Sequence, residues 1–481
     1  VNLADALDIH ARARPGHSAL VDGDLVVTYA AFTARVRRMA AWLVERRPPA
    51  DRPVGVWLKD TIEHLVTLYA LARAGIAILP MDIRWTTDEA RNVARHFGAS
   101  LVLVEPDAPP LDGLVSATPG EAPADYQVFP SDATAPFVLS LSSGTTGRPK
   151  GPLITHAQFL ARFRTHWINL GLNGRDRFVS ATPLYFGGGR TFAMSVLFAG
   201  GTVILKPPPT APEELVACVA RHRATSLFLV PTQFRRLLAL TDADLAPLRG
   251  LHLLLSSGAP LVPEERVAIR DRLSANFFEY YASTEGGGVS LLTPDDLANR
   301  ATTVGRPVFG VEVEIVDDQD QPVPAGETGS LRYRGPGCAT AYHADPEASA
   351  EAFRDGWFYP GDLASLDEDG FVTLRGRRKE VIIRGGVNIH PVDIEAALNA
   401  HPDVAESAAI GMPSAEFGEE VAAFVRLHRP VGVEALVAFA RARLARPKWP
   451  SLVVVVEDMP RNSAGKVLKR ELAARLAGHV G

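Results

Sequence analysis

FVLSLSSGTTGRPKGPLITHAQFLARFRTHW (residues 137–167) runs from an apolar segment, through a loop dense in hydroxyls, glycines and cations, into an amphipathic stretch. Residues 137–141 read as a strand and 155–167 as a helix that Thr155 is placed to cap. Between them lies SSGTTGRPKG (142–151), where Gly144 and Gly147 would let backbone N–H groups approach an anion closely. Ser142, Ser143, Thr145, Thr146 and Lys150 add donors and positive charge. A strand-to-helix junction is the usual setting of a phosphate cradle, although the composition alone reads equally as a plain turn. It is not a Walker A loop, because Gly151 follows Lys150 where that loop needs Ser or Thr.

The same alternation extends in both directions. Apolar runs at 54–58, 76–79, 101–105, 202–205, 226–230, 251–255 and 277–281 are separated mostly by helical patterns such as 61–73 and 88–97. Near-continuous apolar strands between helices imply parallel sheets covered on both faces. So many strands exceed one ordinary sheet, so two packed α/β subdomains are expected. From 303 to 376, runs such as VEVEIV and SLRYRG between Gly, Pro and Asp turns read as a small antiparallel β-barrel-like unit. Beyond it the pattern is mixed α+β. The expected organisation is an N-terminal domain over 1–378 and a small mobile C-terminal domain over 379–481, with the boundary at Lys379.

Composition narrows the function. The 481 residues carry a net charge of -5 with both signs dispersed, so no basic stripe for nucleic acid is present. Cys218 and Cys338 form no CxxC pair and the histidines no HExxH, which disfavours disulfide and zinc chemistry. The apolar runs are too short for a membrane span, and residues 1–16 do not read as a signal peptide, so a cytoplasmic protein is expected.

Further segments appear in order after the loop: SSGAPL (256–261), YYASTEGG (280–287), GSLRYRGP (329–336), GWFYPGDL (356–363), GRRKEVIIRGGVNIHPVDIE (376–395) and NSAGKVLKREL (462–472). Together with SSGTTGRPKG they resemble the signatures of the adenylate-forming superfamily of acyl-CoA synthetases, peptide-synthetase adenylation domains and luciferases. The likeness covers nearly the whole chain and is strongest to acyl- and aryl-CoA ligases. It implies that a carboxylate attacks the α-phosphate of ATP to give an acyl-adenylate, and that a thiol then takes the acyl group and releases AMP. The implied cofactors are ATP, Mg2+ and CoA, or the phosphopantetheine of a carrier protein.

By this resemblance Lys466 reaches the α-phosphate and the attacking carboxylate, Thr284 bonds the α-phosphate, and Glu285 is the metal ligand. Ser142 to Gly147 with Lys150 hold the β- and γ-phosphates. Asp362 takes the ribose hydroxyls, with Arg377 beside it on ribose or phosphate. Ser257, Gly258, Ala259 and Pro260 wall the adenine, with Tyr281 stacking on the base. Lys379 is the hinge about which the C-terminal domain turns between the half-reactions, and Gly385 and Gly386 let a pantetheine arm pass. Outside this context Lys466 is an ordinary solvated lysine, Thr284–Glu285 a helix start, and Asp362 and the glycine pair turn residues.

Departures from the pattern bear on the acid. Ala282 stands where glycine is common, and Tyr359–Pro360 replaces the usual basic residue and threonine before Gly361. Phe186 takes the place of a histidine, and Gly187 the place of an aspartate that pairs with an α-ammonium, which disfavours α-amino acids. With Phe186, Gly187, Gly188, Ala282 and Gly287 as pocket residues, the glycine triplets at 187–189 and 286–288 suggest a roomy site for an aryl, cyclic or medium-chain acid. Arg190 reads as a helix-surface arginine, with a second substrate carboxylate as its alternative partner. The rival readings are a stand-alone enzyme loading a carrier protein in trans, an amide synthetase, and a catalytically dead nucleotide-binding paralogue. Retention of Lys150, Glu285, Asp362 and Lys466 together argues against the last.

Overall fold

Apolar strands such as Thr202–Leu205 and Ser226–Leu229, buried along their whole length, can only occupy the middle of a covered sheet. In the computed structural model, which describes residues 1–46, 48–49, 51–123, 132–141, 149–414, 416–461 and 467–477, they do so. Six parallel strands lie in the order Phe277–Ser283, Leu253–Ser257, Ser226–Leu229, Arg177–Ser180, Thr202–Leu205, Ser18–Asp22. Antiparallel strands close the edges: Gly287–Leu292 and Arg306–Pro307 on one side, Leu25–Thr28 on the other. The strand Gly287–Leu292, which begins in the second glycine triplet, is not among the apolar runs read from the sequence. A second sheet runs Ser116–Ala117, Leu101–Val104, Val54–Trp57, Ile78–Pro80, Pro136–Leu139, Leu153–Thr155, parallel except for its last pair.

The two sheets share one core. The helices Tyr29–Glu45, Ile62–Arg73, His156–Leu170 and Gly187–Ala199 contribute Phe32, Leu68, Phe163 and Val196 to it. Tyr69, fully buried, donates from its hydroxyl to the Met194 carbonyl at 3.2 Å and so ties one subdomain to the other. The helix His156–Leu170 starts in a capping box, Thr155 Oγ1 accepting from Gln158 N at 3.2 Å, and ends at Gly171 with φ 70°.

An antiparallel unit follows, with Glu312–Val316, Gly329–Arg334, Asp362–Leu366 and Val372–Arg377 paired around Ile315, Leu331 and Tyr333. The last part of the chain builds its own sheet on the long pair Val404–Ser414 and Gly418–Leu427, covered by Pro391–Asn399 and Val433–Arg441. No helix of the described residues is long and apolar enough to cross a membrane.

This topology places the candidate residues. The order reverses at Arg177–Ser180, since the next strand lies to one side and the following three to the other. Parallel α/β sheets bind ligands beyond the carboxyl ends of their strands at such a reversal. The segments 181–187, 258–260 and 284–286 all follow those ends.

Candidate functional site

Ser142, Ser143, Gly144, Thr145, Thr146, Gly147 and Lys466 lie outside the described residues. The far end of the candidate phosphate loop, from Pro149, is described. Gly151 crosses so close to the main chain that a Cβ there would stand 2.2 Å from the Ser140 carbonyl oxygen. Lys150 places its ammonium 4.4 Å from the centre of the Tyr342 ring. That ring carries a hydroxyl which donates to Glu285 Oε1 at 2.9 Å. Glu285 is 7% exposed.

The segment carrying Thr284 and Glu285 is held from behind by Arg162, a side chain the sequence did not single out. Arg162 donates from Nε to the Gly337 carbonyl at 2.9 Å, and from its terminal nitrogens to Thr284 O at 3.1 Å and Glu285 O at 2.8 Å. Burial lowers the pKa of this guanidinium. Its place three residues after Phe159 and four before His166, on the buried face of the helix, was the available signal.

The ribose candidates also meet. Asp362 and Arg377 are register partners on adjacent strands, with Arg377 Nε 3.0 Å from Asp362 Oδ1. Tyr281 donates its hydroxyl to the other carboxylate oxygen. Burial first, and the Asp362 charge second, push the Tyr281 phenol well above its usual pKa, so it stays a donor. Tyr281 therefore ties the strand before Thr284–Glu285 to Asp362. Tyr359, one of the departures, accepts from Arg332 at 2.9 Å.

On the adenine side Ser257 is buried and donates to the Tyr280 carbonyl at 2.5 Å. Gly258 has φ 95°, and a Cβ on it would point toward Val230 and Phe186 at 3.6 and 3.7 Å. Ala259 and Pro260 continue this turn, so Phe186 stands between the candidate adenine wall and the candidate acyl site. Gly187 faces open space, whereas a Cβ on Gly188 would stand 3.0 Å from Phe228.

The second glycine triplet does not leave the room expected of it. Cβ atoms there would fall 2.2 Å from Tyr333 at Gly286, 2.8 Å from Arg162 at Gly287, and 1.7 Å from the Tyr280 hydroxyl at Gly288. These glycines admit protein side chains. Ala282 lies opposite Gly288 in the hairpin. Arg190 departs from both readings given above. It is 1% exposed and donates to the carbonyls of Leu184 and Tyr185 at 3.1 and 3.0 Å and to Ser140 Oγ at 3.1 Å. Burial holds its pKa down to about 9. Asp60, raised to about 6 chiefly by burial, accepts from Leu184 N at 2.9 Å, so Leu184 is held by its N–H as well as its carbonyl.

Lys379 is exposed in a short helical turn, Arg378–Glu380, and pairs with Glu351 at 3.2 Å. Gly385 and Gly386 form the two-residue turn of the hairpin Ile382–Arg384 / Val387–Ile389, with φ 55° and 83°. Two consecutive positive φ values are what such a tight hairpin demands. Lys469, opening the helix Lys469–Ala477, bonds Glu380 at 2.9 Å and Glu395 at 2.8 Å.

Comparison with known proteins shows the family. Residues 7–343 match the AMP-binding enzyme family, and residues 393–466 match the AMP-binding enzyme C-terminal domain. The chain is 32% identical to an indoleacetate–CoA ligase of Aromatoleum aromaticum, over 99% of both chains. It superposes on the o-succinylbenzoate CoA synthetase of Bacillus subtilis, solved with its acyl-adenylate intermediate, with a TM-score of 0.90, 26% identity and 97% coverage of each chain. The amide bond synthetase McbA of Marinactinospora thermotolerans is similarly close, with a TM-score of 0.87, 27% identity, and 98% and 99% coverage. The chain belongs to the AMP-binding enzyme family of the adenylate-forming superfamily, as an enzyme of the acid–CoA ligase type.

Proposed function

We propose that the protein joins a carboxylic acid to the thiol of CoA in two steps. The carboxylate displaces pyrophosphate from ATP at the α-phosphorus, giving an acyl-adenylate. The thiolate then attacks the acyl carbon and expels AMP. The observation that carries this reading is that Lys150 and Glu285 meet on Tyr342, while Arg377 pairs with Asp362, which Tyr281 ties to the strand leading into Thr284–Glu285.

In the first step two anions must meet, so the site has to neutralise and align charge. Lys150 and the loop 142–147 take the β- and γ-phosphates, Thr284 the α-phosphate, and Asp362 with Arg377 the ribose. Ser257 to Pro260 and Tyr281 border the base. Lys466 offsets the charge growing between carboxylate and α-phosphate. Glu285 suits Mg2+, which takes one or two carboxylates and draws its other ligands from phosphate and water. Bound there, the ion would spread the negative charge of the triphosphate.

For the second step, a domain beginning at Lys379 turns to replace Lys466 with the hairpin at Gly385–Gly386. The exposed, lightly tethered Lys379 supports such a hinge. Phe186, Gly187, Gly188 and Ala282 border the acid. The open face of Gly187, beside Phe186 and Phe228, supports an aryl, cyclic or medium-chain acid, and the indoleacetate relative points the same way. The likeness to McbA supports a second reading, in which an amine takes the acyl group.

AMP release from ATP and Mg2+ over a panel of aryl, cyclic, fatty and short acids, with and without CoA, tests this. CoA-dependent turnover with a thioester seen by mass spectrometry is expected. AMP only in enzyme-stoichiometric amount, unchanged by CoA, would indicate a carrier protein or an amine as acceptor. Preference for acetate over every bulkier acid would refute the pocket assignment.

A further inference from the structure

Tyr342 touches both charged groups assigned to the triphosphate end of the site. Its hydroxyl donates to Glu285 Oε1 at 2.9 Å, and its ring centre lies 4.4 Å from Lys150 Nζ. The backbone around it is anchored to the phosphate loop: Pro152 and Tyr342 form an antiparallel bridge, and His343 N donates to the Gly151 carbonyl at 2.9 Å. Tyr342 N donates to Ser349 Oγ at 2.9 Å, and the ring meets Phe353 edge-on at 5.3 Å, so it has little freedom to turn away. On the other side Ala339 N donates to the Glu285 carbonyl at 2.8 Å. The stretch 339–343 thus bridges the end of the phosphate loop and the Thr284–Glu285 turn.

We propose that Tyr342 is a positioning residue which sets Glu285 as the metal ligand with its hydroxyl and seats Lys150 against the face of its ring. A hydrogen bond to one carboxylate oxygen orients the other and limits rotation of the group, the part that outer partners play around bound metals. The negative face of the ring attracts an ammonium. Donation of the hydroxyl proton toward a carboxylate enriches that ring and strengthens the second contact through the first. The inference rests on the assignment of Glu285 to Mg2+.

The two contacts separate by substitution. Tyr342→Phe removes the hydroxyl and keeps the ring, and Tyr342→Leu removes both. Binding of a non-hydrolysable ATP analogue would be measured by titration calorimetry at graded Mg2+, alongside the KM for the acid and the kcat at saturating Mg2+. For Tyr342→Phe the Mg2+ concentration giving half-maximal analogue binding should rise about tenfold or more. Analogue affinity at saturating Mg2+, kcat and the acid KM should stay near wild type. Tyr342→Leu should also weaken analogue binding at saturating Mg2+. A Mg2+ dependence unchanged in Tyr342→Phe, or a fall in kcat that high Mg2+ does not restore, overturns the proposal. Glu285→Gln separates the layers. If it shifts the Mg2+ dependence while Tyr342→Phe does not, Tyr342 alone is wrongly assigned. If Glu285→Gln leaves it unshifted as well, the metal assignment falls and the proposal falls with it.

Discussion

Arg162 carries its charge at 5% exposure and spends it on three carbonyls. Ala339 N remains for Glu285 O, but Arg162→Met would strand the carbonyls of Gly337 and Thr284. Buried acceptors left unpaired cost about 1–3 kcal/mol each, so a loss of about 3 kcal/mol is expected, read from urea unfolding. Gly187 and Gly288 make a contrasting pair. A methyl at Gly187 meets nothing within 4 Å, so Gly187→Ala should unfold within about 0.5 kcal/mol of wild type and raise the KM of the bulkiest acids. The same change at Gly288 drives a methyl into the Tyr280 hydroxyl, which is paired with Thr165 at 2.9 Å, and should lower the melting temperature clearly. Nothing in the sequence separates these glycines. Which atoms face a missing side chain is decided by the register of the hairpin, and Tyr342, Arg162 and Tyr281 acquire their partners only when distant segments fold together.

Elements were far more legible. The strands read at 54–58, 101–105, 202–205 and 226–230 are observed as Val54–Trp57, Leu101–Val104, Thr202–Leu205 and Ser226–Leu229. Burial on both faces imposes an apolar run that no other element of that length shows. The short edge strands Ser116–Ala117 and Arg306–Pro307, held by pairing rather than burial, left no such trace. At the amino ends of three neighbouring strands Asp176 gathers Thr225 Oγ1 at 2.6 Å, Ser226 Oγ at 3.0 Å and His252 Nε2 at 2.6 Å. The Asp176 hydrogen bond, outweighing partial burial, raises the pKa of His252. Burial would raise Asp176, but hydrogen bonds led by that from His252 bring it below the usual carboxylate value. A raised histidine stabilises the fold below its unfolded pKa of about 6.5 and loses that contribution as pH climbs through its folded value. The depressed aspartate contributes above about pH 4 and loses its share as pH falls through its own folded value. The gap in melting temperature between wild type and His252→Gln should therefore be larger at pH 6 than at pH 8.5, and a constant gap would deny the charged pair.

Across the whole molecule, the candidate residues sit on the shared framework of two sheets and on a small C-terminal unit, with Lys379 between them. Lys469 links that unit to the turn that holds Lys379, the proposed hinge. Burial would lower its pKa, but the carboxylates of Glu395 and Glu380 outweigh this and raise it, so it remains a cation between them. The helix that follows NSAGK is thereby fastened to the residue after Lys379. The two-step account requires the C-terminal unit to serve each step with a different part, Lys466 for adenylation and the Gly385–Gly386 hairpin for thioester formation. Lys466→Ala separates them. With the preferred acid, ATP–pyrophosphate exchange would be compared with thioester formation from supplied acyl-adenylate and CoA. The account predicts that exchange is abolished while thioester formation is largely retained; equal damage to both half-reactions would contradict it.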